Sequence, residues 1–282
     1  MYSGLAFHIA PRALNLARDF SPRYLFADSV RHVIDGHVAG DRYYEIATTG
    51  AAVKLNESAL EQRMRQLFAL DLNPLIAMTR RLDSEFSLFR AWNTYQEHVA
   101  LAVRTVIHGS SNESFSVDRR QVAYASDPPA ARNAGLCAID ILGAAARSNR
   151  ERGHVAEDQG RSRLSRIAAE LGLQHTAVYE ASLCFEENPG LNVAGLCRMQ
   201  GGHRRTLERY FKNFGLTIGN LKMASALVGA TNDIWSAASL TEIAFAHGFS
   251  DQAHMSRAFR HACGLSPSVL RGLAMSRRAS QQ

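Results

Sequence analysis

A mainly α-helical fold with a smaller α+β part on its N-terminal side is what this sequence predicts, and three observations predict it. Apolar residues recur at intervals of three and four through most of the chain beyond about position 58. Pieces that favour strand are confined to Arg42–Leu55. Two stretches of the last third repeat one design, a short helix, a glycine-centred turn and a second helix.

The elements follow in order. Tyr43-Tyr44-Glu45-Ile46 and Val53-Lys54-Leu55 flank Thr-Thr-Gly-Ala-Ala, which predicts two or three short strands. Ser58-Ala-Leu-Glu61 fits a capping box, in which hydroxyl and carboxylate satisfy orphan amides at a helix start. That helix is expected to run to about Ala69. A second begins near Ser84, and Phe86, Phe89, Trp92, Val99, Val103 and Val106 make it long and amphipathic. The polar run from His108 to Ser114 reads as a loop. Asp127-Pro-Pro129 starts the next helix, since proline is tolerated in a first turn, and it should reach about Arg147. The charged run Ser148–Arg163 marks a linker, with a short helix after it at about Ser165–Leu171. Everything beyond reads as helical, with turns at Asn188-Pro-Gly190, Gly201-Gly202, Gly248 and Gly264. The chain therefore divides into a regulatory or dimerisation part (1–150), a linker (151–172), a helical domain (173–273) and a disordered tail (274–282).

Charge separates the same parts. From Gly190 onward there are 11 basic and 4 acidic residues, net +7, against 21 and 22 before it, within a total of +6. A polyanionic partner for the last third alone is implied. No apolar run approaches the ~18 residues of a membrane span, and Leu136–Ala146 carries Asp140. His8, Pro11 and Arg12 do not read as a signal peptide. Cys137, Cys184, Cys197 and Cys263 are scattered and form no CxxC, which fits reduced, mostly buried thiols and a cytoplasmic setting.

The repeated design carries the functional reading. Its copies are Leu196–Phe211 and Ile243–Phe259, with apolar anchors four apart: Leu207 and Phe211 in one, Met255 and Phe259 in the other. Gly201 and Gly248 suit turns with positive φ. Ser239-Leu-Thr-Glu242 is a capping box ahead of the second copy, and Ser250 is the expected N-cap of its second helix. This is the spacing of a helix-turn-helix, whose second helix enters the major groove of DNA. With the anchors inward, Arg204, Arg205, Glu208, Arg209 and Lys212 project from one helix, and Asp251, Gln252, Ser256, Arg257 and Arg260 from the other. Arginine pairs with guanine, Gln with adenine, and Glu accepts from cytosine. The remaining cations would meet phosphates.

The run Ser239-Leu-Thr-Glu-Ile-Ala-Phe-Ala-His-Gly-Phe-Ser-Asp-Gln-Ala-His-Met-Ser-Arg-Ala-Phe259, continuing to Gly264-Leu-Ser-Pro267, resembles the signature of the AraC/XylS family of bacterial transcription regulators. The first copy is similar but looser, with His203 where the family usually has a Ser-type cap. The resemblance covers about Leu173–Leu273. It implies a seven-helix domain in which a linker helix holds two helix-turn-helices on one face, able to enter successive major grooves of one asymmetric or repeated site in double-stranded DNA. It further implies RNA polymerase and a small-molecule effector as partners; residues of about 57–150 are expected to form a homodimer or hold the effector, and no cofactor is expected. One departure is that Gly215–Ser239 is about four residues shorter than the family pattern, ~6 Å of helix. Gly219 and Gly229 weaken helix there, and Lys222 is the basic residue left. This bears on the relative aim of the two helices. Val53–Met64, Pro74-Leu75, Leu82-Asp83 and Trp92 are similar to the end of a cupin-like sensor followed by its helical pair. Too few strands precede Val53 to close a barrel, so an incomplete sensor is expected.

His203, His247, His254 and His261 read as cap, turn or surface residues, and Trp92 with its phenylalanines as helix core. His32 and His37 are the residues on which a metal-dependent cupin enzyme would rest, and no third histidine with a carboxylate accompanies them. No GxSxG or Cys–His–Asp arrangement is present, so no enzyme is expected. The competing reading keeps the fold and drops the activity: a degenerate regulator acting only through protein contacts.

Overall fold

Short helices, most of them capped by a side chain, build this protein. The computed structural model describes residues 4–16, 20–109, 115–121, 127–151 and 162–275. Its N-terminal part runs β1 (Leu5–Phe7), α1 (Ile9–Leu14), α2 (Pro22–Ile34), β2 (His37–Ala39), α3 (Gly40–Ala47), α4 (Gly50–Val53), α5 (Glu57–Leu70) and α6 (Pro74–Thr79). It continues through α7 (Glu85–His98), β3 (Val103–Gly109), β4 (Phe115–Gln121) and α8 (Pro129–Glu151). The C-terminal part comprises α9 (Leu164–Glu170), α10 (Ala177–Glu187), α11 (Val193–Met199), α12 (Arg204–Asn213), α13 (Ile218–Asp233), α14 (Leu240–Ala246), α15 (Gln252–Cys263) and α16 (Pro267–Met275). The mainly helical class is as expected, and so are the starts of α7 and α8 and the short helix α9. Of the expected linker, 152–161 lie outside the described residues. Residues 162–172 hold α9, which packs on α10 and α13 and also touches α2: Ser162 and Asn232 exchange hydrogen bonds of 3.2 and 2.9 Å, and Ser165 N–H donates to Glu186 at 3.0 Å. The expected tail lies outside the described residues from 276 on.

Three expectations for the N-terminal part are corrected. Residues 42–55 hold α3 and α4, not strands. A strand would send Tyr43 and Tyr44 to opposite faces, whereas both are buried together with Ala47 because α3 packs on α1 and α8. Helix α5 starts two residues earlier than the Ser58–Glu61 box, since the Asn56 side chain accepts from Ala59 N–H at 2.8 Å. Helix α7 ends at His98 instead of running to Val106. Phe86 is exposed, so the apolar positions never formed one stripe, and the β-branched run after Leu101 pairs as a strand.

That strand, β3, forms an antiparallel hairpin with β4, and β1 pairs with β2 in the same sense. Among the described residues there are these two two-stranded sheets and no barrel. Side chains of α7 cover the free edge of β3. Trp92 Nε1 donates to Thr105 O at 2.8 Å, Asn93 bonds both backbone groups of Ile107 (2.8 and 3.0 Å), and Gln96 Oε1 accepts from Thr105 N–H at 2.9 Å. A helix thereby satisfies an edge that would otherwise be open to pairing.

The two parts meet along α2, which packs on α13 and α15, while α6 touches α13, α15 and α16. Arg23 lies over the Phe214 ring at 5.0 Å, and Arg31 donates to the carbonyl of Gly215. The carbonyl of Ala262, near the end of α15, accepts from Gly36 N–H at 2.9 Å and from Asn73 Nδ2 at 2.8 Å. Beneath this contact His8 is fully buried, with Nδ1 3.0 Å from Gly36 O and Nε2 2.5 Å from Asp71 Oδ2. Burial alone would raise the Asp71 carboxyl, but His8, Arg12 and the Asn73 amide outweigh it and hold it below its ordinary value.

Candidate nucleic-acid interface

Helices α11 and α12 form the first helix-turn-helix. Asn192 caps α11 by accepting from Gly195 N–H at 2.8 Å. Gly201 then takes φ of +62°, which a side chain would resist. Leu207 and Phe211 are buried, as their spacing predicts. Arg204, Arg205, Glu208, Arg209 and Lys212 are all exposed. Arg204 Nε lies 2.8 Å from Glu208 Oε1, one turn along, so the one acid of this face is engaged by a neighbouring cation. Arg205, Arg209 and Lys212 make no ion pair among the described residues. His203 occupies the N-cap of α12 and its side chain makes no capping hydrogen bond, so the departure noted at this position leaves the first-turn amides without a side-chain acceptor.

Helices α14 and α15 form the second. The Ser239–Glu242 capping box is present in full, with Glu242 accepting from Ser239 N–H at 2.7 Å and Ser239 Oγ from Glu242 N–H at 3.1 Å. Gly248 takes φ of +78°. Met255 and Phe259 are completely buried, and Arg257 and Arg260 stand exposed, with Ser256 partly so. The cap of α15 is Asp251, not Ser250: its Oδ1 accepts from His254 N–H at 2.6 Å, and Ser250 Oγ donates to Oδ2 at 3.2 Å. The capping bond holds this carboxyl below its ordinary value. Asp251 thus projects outward but is committed to the helix end. Gln252 is oriented by a residue the sequence reading passed over: Thr241 Oγ1 donates to Gln252 Oε1 at 3.0 Å, turning the amide NH2 away from α14.

Helix α13 joins the two units. Gly219 and Gly229 were expected to weaken it, yet it runs unbroken for 16 residues. Thr217 and Asn220 form a capping box at its start, a Thr-x-x-Asn signal open to sequence reading and missed. Gly229 has a packing role, because a Cβ there would strike the His247 ring. That ring closes α14 onto α13, its Nε2 lying 2.8 Å from Asp233 Oδ2. Arg271 of α16 adds a donor to Ala238 O at 2.9 Å. The second unit is therefore fixed to the linker helix by side chains on both flanks.

The remaining histidines have structural places. His254 sits edge-on to Phe249 at 5.3 Å, and His261 is exposed, 4.0 Å from Asp35. His32 stacks on His8 at 4.1 Å, and His37 Nε2 bonds Tyr95 Oη at 2.8 Å. Among the described residues no group of three or more His, Cys, Asp or Glu side chains could hold a metal ion, and no helix is long and apolar enough to cross a membrane.

Residues 196–272 match a family model described as a helix-turn-helix domain. The matched stretch takes in both units and the helix between them. No curated protein and no solved structure matches the chain.

Proposed function

We propose that the AraC-type helix-turn-helix domain of residues 196–272, which makes this chain a DNA-binding transcription regulator, reads one asymmetric or repeated site with both recognition helices, α12 and α15, in successive major grooves. The observation that carries the reading is the matched burial of the two anchor pairs, Leu207 with Phe211 and Met255 with Phe259, which leaves a cationic face outward on each helix. Arg205, Arg209, Gln252 and Arg257 are the base-reading candidates, with Glu208 available to cytosine once Arg204 turns to a phosphate. Lys212 and Arg260 serve the backbone, Arg204 joins them only where Glu208 releases it, and Asp251 acts by holding the start of α15. The unbroken α13 supports binding by both units over the reading in which the domain serves protein contacts alone.

The test is selection of bound sequences from a random duplex library with the full chain. Two conserved blocks about one helical turn apart are expected. A single block would leave one helix-turn-helix in use, and no enrichment at low salt would favour the protein-contact reading.

A further inference from the structure

A cavity of about 130 Å³ lies in the N-terminal part, bounded by α1, α5, α6, α7, α8 and the β3–β4 hairpin. Its wall is chiefly aliphatic and aromatic, with Ile9, Met64, Met78, Leu88 and Trp92 among its residues. Most of the polar side chains that reach it are engaged elsewhere, and Gln96 gives its Oε1 to Thr105 N–H at 2.9 Å. Tyr43 Oη donates to Ala131 O at 3.1 Å, Tyr95 Oη pairs with His37, and Thr79 Oγ1 donates to Ile76 O at 2.8 Å. Arg119 is the charged member of the wall. Its Nε and Nη2 donate to the two Asp127 oxygens at 2.7 and 3.0 Å, and Nη1 to Thr105 Oγ1 at 3.1 Å.

These commitments define what can enter. A charged or strongly hydrogen-bonding molecule would give up its water and meet partners already taken. An apolar one would lose unfavourable hydration and gain contacts that an empty space does not supply. An apolar cavity of roughly 150 Å³ stays dry and accepts benzene, so this volume suits a molecule of similar size. We infer that the cavity is a binding site for a small, neutral, apolar molecule of roughly six to eight non-hydrogen atoms. The site adjoins the contact between the two parts of the chain. Helix α6 supplies Leu75, Ile76 and Met78 to the wall, and its N-cap is the Asn73 that holds Ala262 of α15. The inference does not depend on the DNA-binding reading, which would stand if it failed.

Toluene and benzoate, one ring without and with a charge, provide the test on the full chain carrying 13C-methyl methionine. Toluene is expected to shift the Met64 and Met78 methyl signals saturably and to leave in place exposed Met199 and buried Met255, neither of which lines the cavity, while benzoate at equal concentration shifts none. Ala138→Leu, which fills part of the cavity, should weaken toluene binding by about tenfold or more. Stationary Met64 and Met78 signals, equal response to benzoate, or a folded Ala138→Leu protein that binds toluene as the parent does would each overturn the inference. Should that variant fail to fold, the methionine shifts of the parent chain decide.

Discussion

Neutralising Arg209 and releasing Arg204 should move the salt dependence of DNA binding in opposite directions. Five exposed cations of the two recognition helices, Arg205, Arg209, Lys212, Arg257 and Arg260, make no ion pair among the described residues, while Arg204 is held by Glu208. If each of the five, whether it meets a phosphate or a base edge, brings its charge into the groove and displaces one counterion, the slope of log K against log salt is about −4.5, and affinity falls ~500-fold between 50 and 200 mM salt. Arg209→Ala removes one contact and brings the slope to about −3.6. Glu208→Gln frees Arg204 for a phosphate and steepens it to about −5.4. Fluorescence anisotropy with a labelled duplex at five or six salt concentrations measures all three. A parental slope shallower than about −2 would refute the use of both faces, and an unchanged slope in Glu208→Gln would refute the pairing argument.

Three further outcomes are expected. Arg257→Ala should weaken binding to the selected site by about 1–3 kcal/mol and spare scrambled DNA if this residue reads a base; equal losses on both would make it a phosphate contact. His203→Ser should supply the acceptor that α12 lacks and raise stability by about 1 kcal/mol in urea unfolding, and no gain would mean that the first-turn amides are satisfied otherwise. Burial above all, with His8 adding to it against Asp35, draws the His37 pKa down to about 4. The unfolded chain, titrating near 6.5, therefore takes up the proton first. The stability from neutral His37 is complete above about pH 6.5 and is lost progressively as pH falls toward 4, ~3 kcal/mol in all. Asp71, held low, adds a further loss only below its unfolded value near 4. Urea titrations of the parent and of His37→Gln from pH 7 to 4 should converge as pH falls, and parallel curves would contradict this account.

The C-terminal part was readable because its signals are local. A glycine at a tight turn, anchors four apart and a Ser-x-x-Glu box each act within one or two helical turns, and Leu207, Phe211, Met255 and Phe259 fell where their spacing put them. Ser250 and Asp251 show where local signals end, since both are good caps and the choice rests on which side chain reaches His254 N–H. The N-terminal part depends on distant partners. Tyr43 and Tyr44 favour strand by type, and only their burial between α1 and α8 makes them helical. The end of α7 is fixed by a hairpin whose edge groups hydrogen-bond to α7's own side chains, a relation no periodicity reports. The same holds for the cavity, whose wall draws on residues from Leu5 to Leu142.

Helix α2 and the turn after it hold the far ends of both recognition helices: Arg23 and Arg31 grip Phe214 and Gly215 beyond α12, and Gly36 grips Ala262 near the end of α15. Sensors and DNA readers joined by a tether can be exchanged as cassettes, each half indifferent to its companion. Here a foreign N-terminal part would have to rebuild a donor for Ala262 and a cover for Phe214 before any choice of splice point mattered. The seam of this protein is a surface shaped by both halves, and substitutions in α2 belong in any mutational map of its DNA specificity.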